Sequence, residues 1–156
     1  MASYIDSSFL LSIILDQNLS SKITKIWKNG EMRVSSVLLQ AECIITLRRI
    51  YFNQKKGLPY NWLKEKEIEL KNLIQEVSLR IIDKSILDII EIKKDLSNCR
   101  TLDAIHLATA IDFKNNFNDK ICICSFDKNM RRISKKFGYN VLPEKTSDCR
   151  SDEENL

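Results

Sequence analysis

Short apolar runs of β character alternate with longer segments of helical periodicity along almost the whole chain, and this alternation restricts the fold more than any other feature. The strand-like runs are Ala2 to Ile5, Met32 to Ser35, Val77 to Ile82, Lys120 to Ser125 and Tyr139 to Leu142. Ser7 to Leu15 follows the first as a short helix. Ser20 or Ser21 caps the next, in which Leu19, Ile23, Ile26 and Trp27 recur at helical spacing, Lys22, Lys25 and Lys28 fall mostly on the other side, and Gly30 is a stop. A long helix begins at Ser36 and runs to about Gln54, ahead of Gly57 and Pro59, and Asn61 to Glu76 is amphipathic with Leu63, Leu70, Leu73 and Ile74 inward. Ser85 to Leu96, Thr101 to Phe117 and Lys128 to Lys136 complete the helices. Parallel strands need a long crossover, usually a helix, and helix-separated strands of this kind supply it. The expectation is an α/β fold, a mostly parallel central sheet of about five strands with helices on both faces.

A chain of 156 residues with 44% hydrophobic content fits one domain with one core, expected over residues 1–143. Glu144 to Leu156 is polar, sets two basic residues against five acids, and reads as a disordered tail. The net charge of +4 is compatible with a nucleic-acid partner without requiring one. Cys43, Cys99, Cys122, Cys124 and Cys149 form no disulfide or zinc framework, and suit a reducing cytoplasm as small buried thiols. Cys122 and Cys124 are expected on opposite sides of the sheet. No secretory signal fits the N-terminus, and Phe9 to Leu15 is too short to span a bilayer, so a cytoplasmic protein without a membrane partner is expected.

Four acids stand out against this layout. Asp6 and Asp127 follow strand-like runs, Asp103 sits in the first turn of a helix, and Glu42 lies on or beside an apolar helix face between Leu38 and Ile45. Each of the first three also fits a structural role, as a helix N-cap or as a carboxylate favoured by the helix dipole. Glu42 is harder to place that way, because a charge on an apolar face needs an ion pair or a metal; Arg49 is one available partner. Ala104, Leu107, Ala108 and Ile111 form a stripe that lays the Asp103 helix close on the sheet. Ligands of open α/β sheets bind beyond the carboxyl ends of the strands, where such acids converge. Like charges gathered there favour a divalent cation.

The segments Asp6-Ser7-Ser8, Ser36 with Glu42, Arg100-Thr101-Leu102-Asp103-Ala104 and Ser125-Phe126-Asp127 resemble, in order, the pattern of PIN domains, and more closely VapC toxins, the ribonuclease halves of type II toxin–antitoxin pairs. The resemblance spans Met1 to about Leu142. It implies a PIN-like fold and a metal-dependent endoribonuclease in which Asp6, Glu42, Asp103 and Asp127 bind Mg²⁺ or Mn²⁺ and carry catalysis. It also implies an RNA substrate such as tRNA or rRNA, a small antitoxin seated over the helices around Ser20–Asn29 and Asn61–Glu76, and a homodimer. The chain departs from the family in its acidic tail and its extended Lys55 to Lys66 region.

Hydrolysis of a phosphodiester suits this set of residues. A carboxylate-held Mg²⁺ activates water and neutralises charge on the phosphate, and four acids serve either two ions or one ion and a base. Ser7, Ser8 and Ser125 are placed to support the carboxylates or a phosphate, or to cap helices. Arg100 is placed to orient the acids, to touch phosphate or to form a salt bridge. His106 is the one histidine, which removes a histidine-pair mechanism, and it fits a surface or packing role better than a cleft role. Lys128, Arg131, Arg132, Lys135 and Lys136 follow Asp127 on one helix and are candidates for RNA backbone contacts, with a solvated face as the alternative. Two rival readings remain open. An aspartyl-phosphate phosphotransfer protein would use Asp6 but lacks its accompanying acids, and a non-catalytic RNA-binding or assembly module would use the same fold without cleavage.

Overall fold

The computed structural model describes residues 1–16, 21–54, 57–117 and 120–144; Leu19, Ser20, Lys55, Lys56, Cys149 and the rest of the tail beyond Glu144 lie outside the described residues. Strand β1 (Ala2–Ile5) leads into helices α1 (Ser7–Leu15) and α2 (Ser21–Asn29), and β2 (Met32–Ser36) into α3 (Leu38–Gln54) and α4 (Trp62–Ile74). Strand β3 (Ser78–Arg80) precedes α5 (Lys84–Ile92), a 3-10 turn over Lys94–Asn98 and α6 (Thr101–Phe117); β4 (Ile121–Cys124), α7 (Lys128–Lys136) and β5 (Asn140–Leu142) close the chain.

The order is the one expected, and the differences are local. Helix α3 starts at Leu38 because Ser36 stays in the strand and its hydroxyl accepts the Leu38 N–H at 3.2 Å. Strand β3 is short because the Val77 N–H still bonds back to Ile74 at the end of α4. Helix α5 stops at Ile92, since Lys93 leaves the helical region (φ −88°, ψ 77°); the 3-10 turn that follows carries Leu96 into the core.

The sheet runs β3-β2-β1-β4-β5, and each pairing among the described strands is parallel. Strand order therefore builds outward from β1 to β2 and β3 on one side and then reverses to β4 and β5 on the other. The reversal leaves a crevice beyond the carboxyl ends of β1 and β4, the switch point at which ligands of such sheets bind.

Side chains alternate along each strand and serve two cores. Ala2, Tyr4, Val34, Ile121 and Ile123 meet α5, α6 and α7 on one face. Ile5, Cys122 and Cys124 meet α1 to α4 on the other, against Phe9, Leu10, Leu39 and Leu47. Fully burying a side chain of this size is worth roughly 1.5–3 kcal/mol, so both layers contribute heavily. The shared face of Cys122 and Cys124 corrects the expectation that they point to opposite sides: residues two apart on a strand share a face. The α6 stripe of Ala104, Leu107, Ala108 and Ile111 is buried as expected, with Ala110 and Phe113 beside it.

Candidate active site

Strand β1 delivers Asp6 to the crevice, and β4 delivers Ser125 and Asp127. Asp6 is buried and caps α1 through Oδ2, which accepts the Ser8 N–H at 3.3 Å, the Ser8 hydroxyl, and the Ser125 hydroxyl at 2.8 Å. All three bonds reach the same oxygen, so Oδ1 takes none of them. The Ser8 hydroxyl oxygen in turn accepts the N–H groups of Phe126 at 2.9 Å and Asp127 at 3.2 Å. Ser125 Oγ accepts the Asp127 N–H at 3.1 Å. Two hydroxyls thus knot the ends of neighbouring strands and hold Asp6 beside Asp127. Asp127 also caps α7, accepting the Met130 N–H at 2.8 Å. Capping and cleft roles are not alternatives here, because a carboxylate has enough lone pairs for both.

Glu42 enters from α3 and Asp103 from the first turn of α6, and both are half-buried. Burial pushes the Glu42 carboxyl up, but contacts with His106 and Ser7 outweigh it and hold the group below its ordinary value. The Asp103 carboxyl lies above its ordinary value because of burial and the charges of Asp127 and Asp6, against a smaller opposing pull from Arg100. His106 is 2% exposed. Its Nδ1 lies 2.9 Å from the Tyr4 hydroxyl and 3.3 Å from Ser36 Oγ, and its Nε2 lies 3.4 Å from Glu42 Oε2, long for a hydrogen bond. Burial alone would lower the imidazole pKa; Glu42, Asp6 and Asp103 together raise it.

These groups wall one cleft of about 550 Å³, a size typical of ligand sites. Asp6, Glu42, Asp103 and Asp127 all line it, as do Ser7, Ser8 and Arg100. So do three residues given too little weight in the sequence, Arg49, Thr46 and His106. Arg49 follows Glu42 by two helical turns, which was the available signal. Glu42 instead faces the His106 ring, whose Nε2 lies 3.4 Å from Oε2. His106 is neither a surface residue nor a packing residue alone, since it is buried and still faces the cleft. Ser125 lies just beneath the cleft, reaching it through Asp6.

The basic helix divides. Lys128, Arg132, Lys135 and Lys136 are exposed, with Arg132 and Lys136 bordering a groove beside Asp95 and Asn98. Lys135 faces a different hollow, near Tyr139 and Asn140. Arg131 corrects the expectation of RNA contact: it is buried, and its guanidinium donates to the main-chain carbonyls of Ser125 at 2.7 Å, Leu142 at 3.3 Å, Pro143 at 2.7 Å and Glu144 at 3.3 Å. The side chain points inward, where the carbonyls that follow β4 and close β5 need a donor.

Residues 3–136 match the family described as PIN domain. The chain belongs to the PIN domain family. It is also similar to "Ribonuclease VapC46" of Mycobacterium tuberculosis, at 27% identity over 141 residues that cover 90% of this chain and 96% of that protein. In this PIN domain Asp6, Glu42 and His106 offer ligand atoms within 4.8 Å of one another. Four carboxylates line the cleft, and burial first, then the charges of Asp127 and Asp6, raise the Asp103 carboxyl. A divalent cation fits that donor set, because hard cations take oxygen ligands and offset shared negative charge. Among the described residues, no helix of the PIN domain is long and apolar enough to cross a membrane.

Proposed function

We propose that this protein is an endoribonuclease, the toxin of a type II toxin–antitoxin pair, that hydrolyses RNA phosphodiester bonds in a Mg²⁺-dependent manner, with Mn²⁺ able to substitute. The observation that carries the reading is the convergence of Asp6, Glu42, Asp103 and Asp127 from four separate elements onto one cleft at the strand-order switch. In this reading those four side chains hold the metal and carry catalysis. A bound ion would lower the pKa of water and offset charge developing on the phosphate.

The remaining work falls to the chain itself. Ser8 and Ser125 fix Asp6 through Oδ2, and their bonds do not use Oδ1. Ser7 steadies Glu42. Arg49 and Arg100, on the cleft wall, suit the phosphates flanking the scissile bond, and Arg100 also tempers the charge on Asp103. Lys128, Arg132, Lys135 and Lys136 are exposed and extend a cationic surface from Asp127 along α7, suited to the backbone of a structured RNA such as tRNA or rRNA. The resemblance to a VapC ribonuclease supports a cytoplasmic protein, a homodimer, and a small antitoxin partner over α2 and α4, where Ile68 and the neighbouring Tyr60 are exposed.

The test is RNA cleavage by the purified protein with Mg²⁺, Mn²⁺ or chelator, beside Asp6→Asn and Asp103→Asn. Cleavage should need the metal and be lost in both variants while their circular dichroism stays native. Undiminished cutting in chelator, or by both variants, would end this reading; tight RNA binding without any cutting would favour a non-catalytic binding module.

A further inference from the structure

We propose that His106 is a positioning residue whose Nε2–H holds the Glu42 carboxylate in the cleft, with Tyr4 and Ser36 locking the ring. The proposal deepens the nuclease reading and rests on it for the role of Glu42. Three elements meet at this imidazole: α6 carries it, β1 supplies Tyr4 and β2 supplies Ser36. Both hydroxyls converge on Nδ1, at 2.9 Å and 3.3 Å. Each has a proton to give, and the Tyr4 phenol is fully buried and needs an acceptor. A bare Nδ1 meets that need, which leaves the ring proton on Nε2.

Nε2 is itself buried and without a hydrogen bond of normal geometry, and it faces Glu42 Oε2 at 3.4 Å. A buried donor left in that state is costly, so the atom it faces is its intended acceptor. Direct ligation of a metal by Nε2 of His106 would demand the opposite arrangement, with Nε2 bare and the ring proton on Nδ1, facing the Tyr4 and Ser36 hydroxyls. Glu42 stands one turn into α3 on a flexible, half-buried side chain, and its contacts come from Ser7 on α1 and His106 on α6. A carboxylate ligand commonly depends on such an outer partner, whose loss costs about 10–100-fold in metal affinity or activity.

The chain has one histidine, so its ring nitrogens can be read by proton–nitrogen NMR without assignment. Nε2 should carry a proton in the metal-free protein and keep it after MgCl₂ is added. Calorimetry with MnCl₂ should then separate two isosteric variants. His106→Gln, whose amide N–H reaches the Nε2 position, should bind Mn²⁺ close to wild type; His106→Asn, which reaches only the Nδ1 position, should bind about 10–100-fold more weakly at an unchanged melting temperature. A bare Nε2 in either state, or equal losses in two folded variants, would overturn the assignment. A wild-type protein that neither binds metal nor cuts RNA overturns the nuclease reading instead, while the proton on Nε2 in the metal-free protein decides His106 by itself.

Discussion

Arg131 and Arg132 are neighbours in sequence with opposite fates. Arg131 turns inward to four carbonyls, and Arg132 stays exposed beside the groove at Asp95. Arg131→Ala should destabilise the fold by about 2–3 kcal/mol, because it strands buried carbonyls that now accept from a charge. Arg132→Ala should leave stability within about 0.5 kcal/mol and instead weaken RNA binding, reducing its salt slope by about 1. Denaturant melts and filter binding over a salt series check both, and the reverse pattern would reject the division. Asp103 carries a second expectation. Its carboxyl is held above its ordinary value by burial and by Asp127 and Asp6, so ionised Asp103 is a cost to the fold. Asp103→Asn should melt higher than wild type in chelator and gain less from added Mg²⁺; a lower melting point in chelator would contradict it. The four acids were visible in the sequence because each sits at an element boundary or on a face where charge is out of place. His106 and the inward turn of Arg131 were not, since their partners Tyr4, Glu42 and Leu142 to Glu144 are brought near only by the folded chain.

Helix α7 ends at Gly138, whose φ of 79° lies in the left-handed region. The Gly138 N–H bonds to Lys135 and the Tyr139 N–H to Ser134, the paired bonds of a Schellman stop, and Tyr139 then turns into the core. A Cβ at this position would meet nothing within 4 Å, so the cost of Gly138→Ala is purely conformational, about 1–2 kcal/mol by denaturant unfolding. At the other end of the sheet, Asp83 caps α5 through the Ser85 N–H at 3.1 Å. The Ser85 hydroxyl first, and then Arg80, hold its carboxyl down to about 2 from 3.8. A depressed carboxyl contributes stability above its unfolded value and loses it as pH falls through the folded one. Wild type should therefore lose stability between about pH 4 and pH 2 more steeply than Asp83→Asn, as read from melting temperature against pH. Elements such as these were largely readable beforehand, because periodicity, caps and stops are local. Their ends were less so. The start of β3 depends on the Val77 N–H bonding back to Ile74, the break at Lys93 on its departure from helical dihedrals, and the facing of Cys122 and Cys124 was misread outright.

Across the whole molecule, charge is segregated. Carboxylates line the cleft, Arg49 and Arg100 stand on its wall, and exposed cations run along α7. Binding of single-stranded RNA should release counterions at about 0.7 per phosphate contacted, so three or four contacts give a slope of log affinity against log salt of roughly −2 to −3. A flat salt series would mean that the cationic helix does not meet RNA. Strand order was the least readable property of all: a parallel α/β layout follows from alternation, but which strand is central does not. Here it is the first one, and Asp6 waits for Ser125, 119 positions later, before its carboxylate is tied in place. A ribosome translating this message emits nearly the entire polypeptide before the pocket exists. Under the nuclease reading, products terminated before the fourth strand should therefore cut no RNA, because their Asp6 has no Ser125 to tie it down.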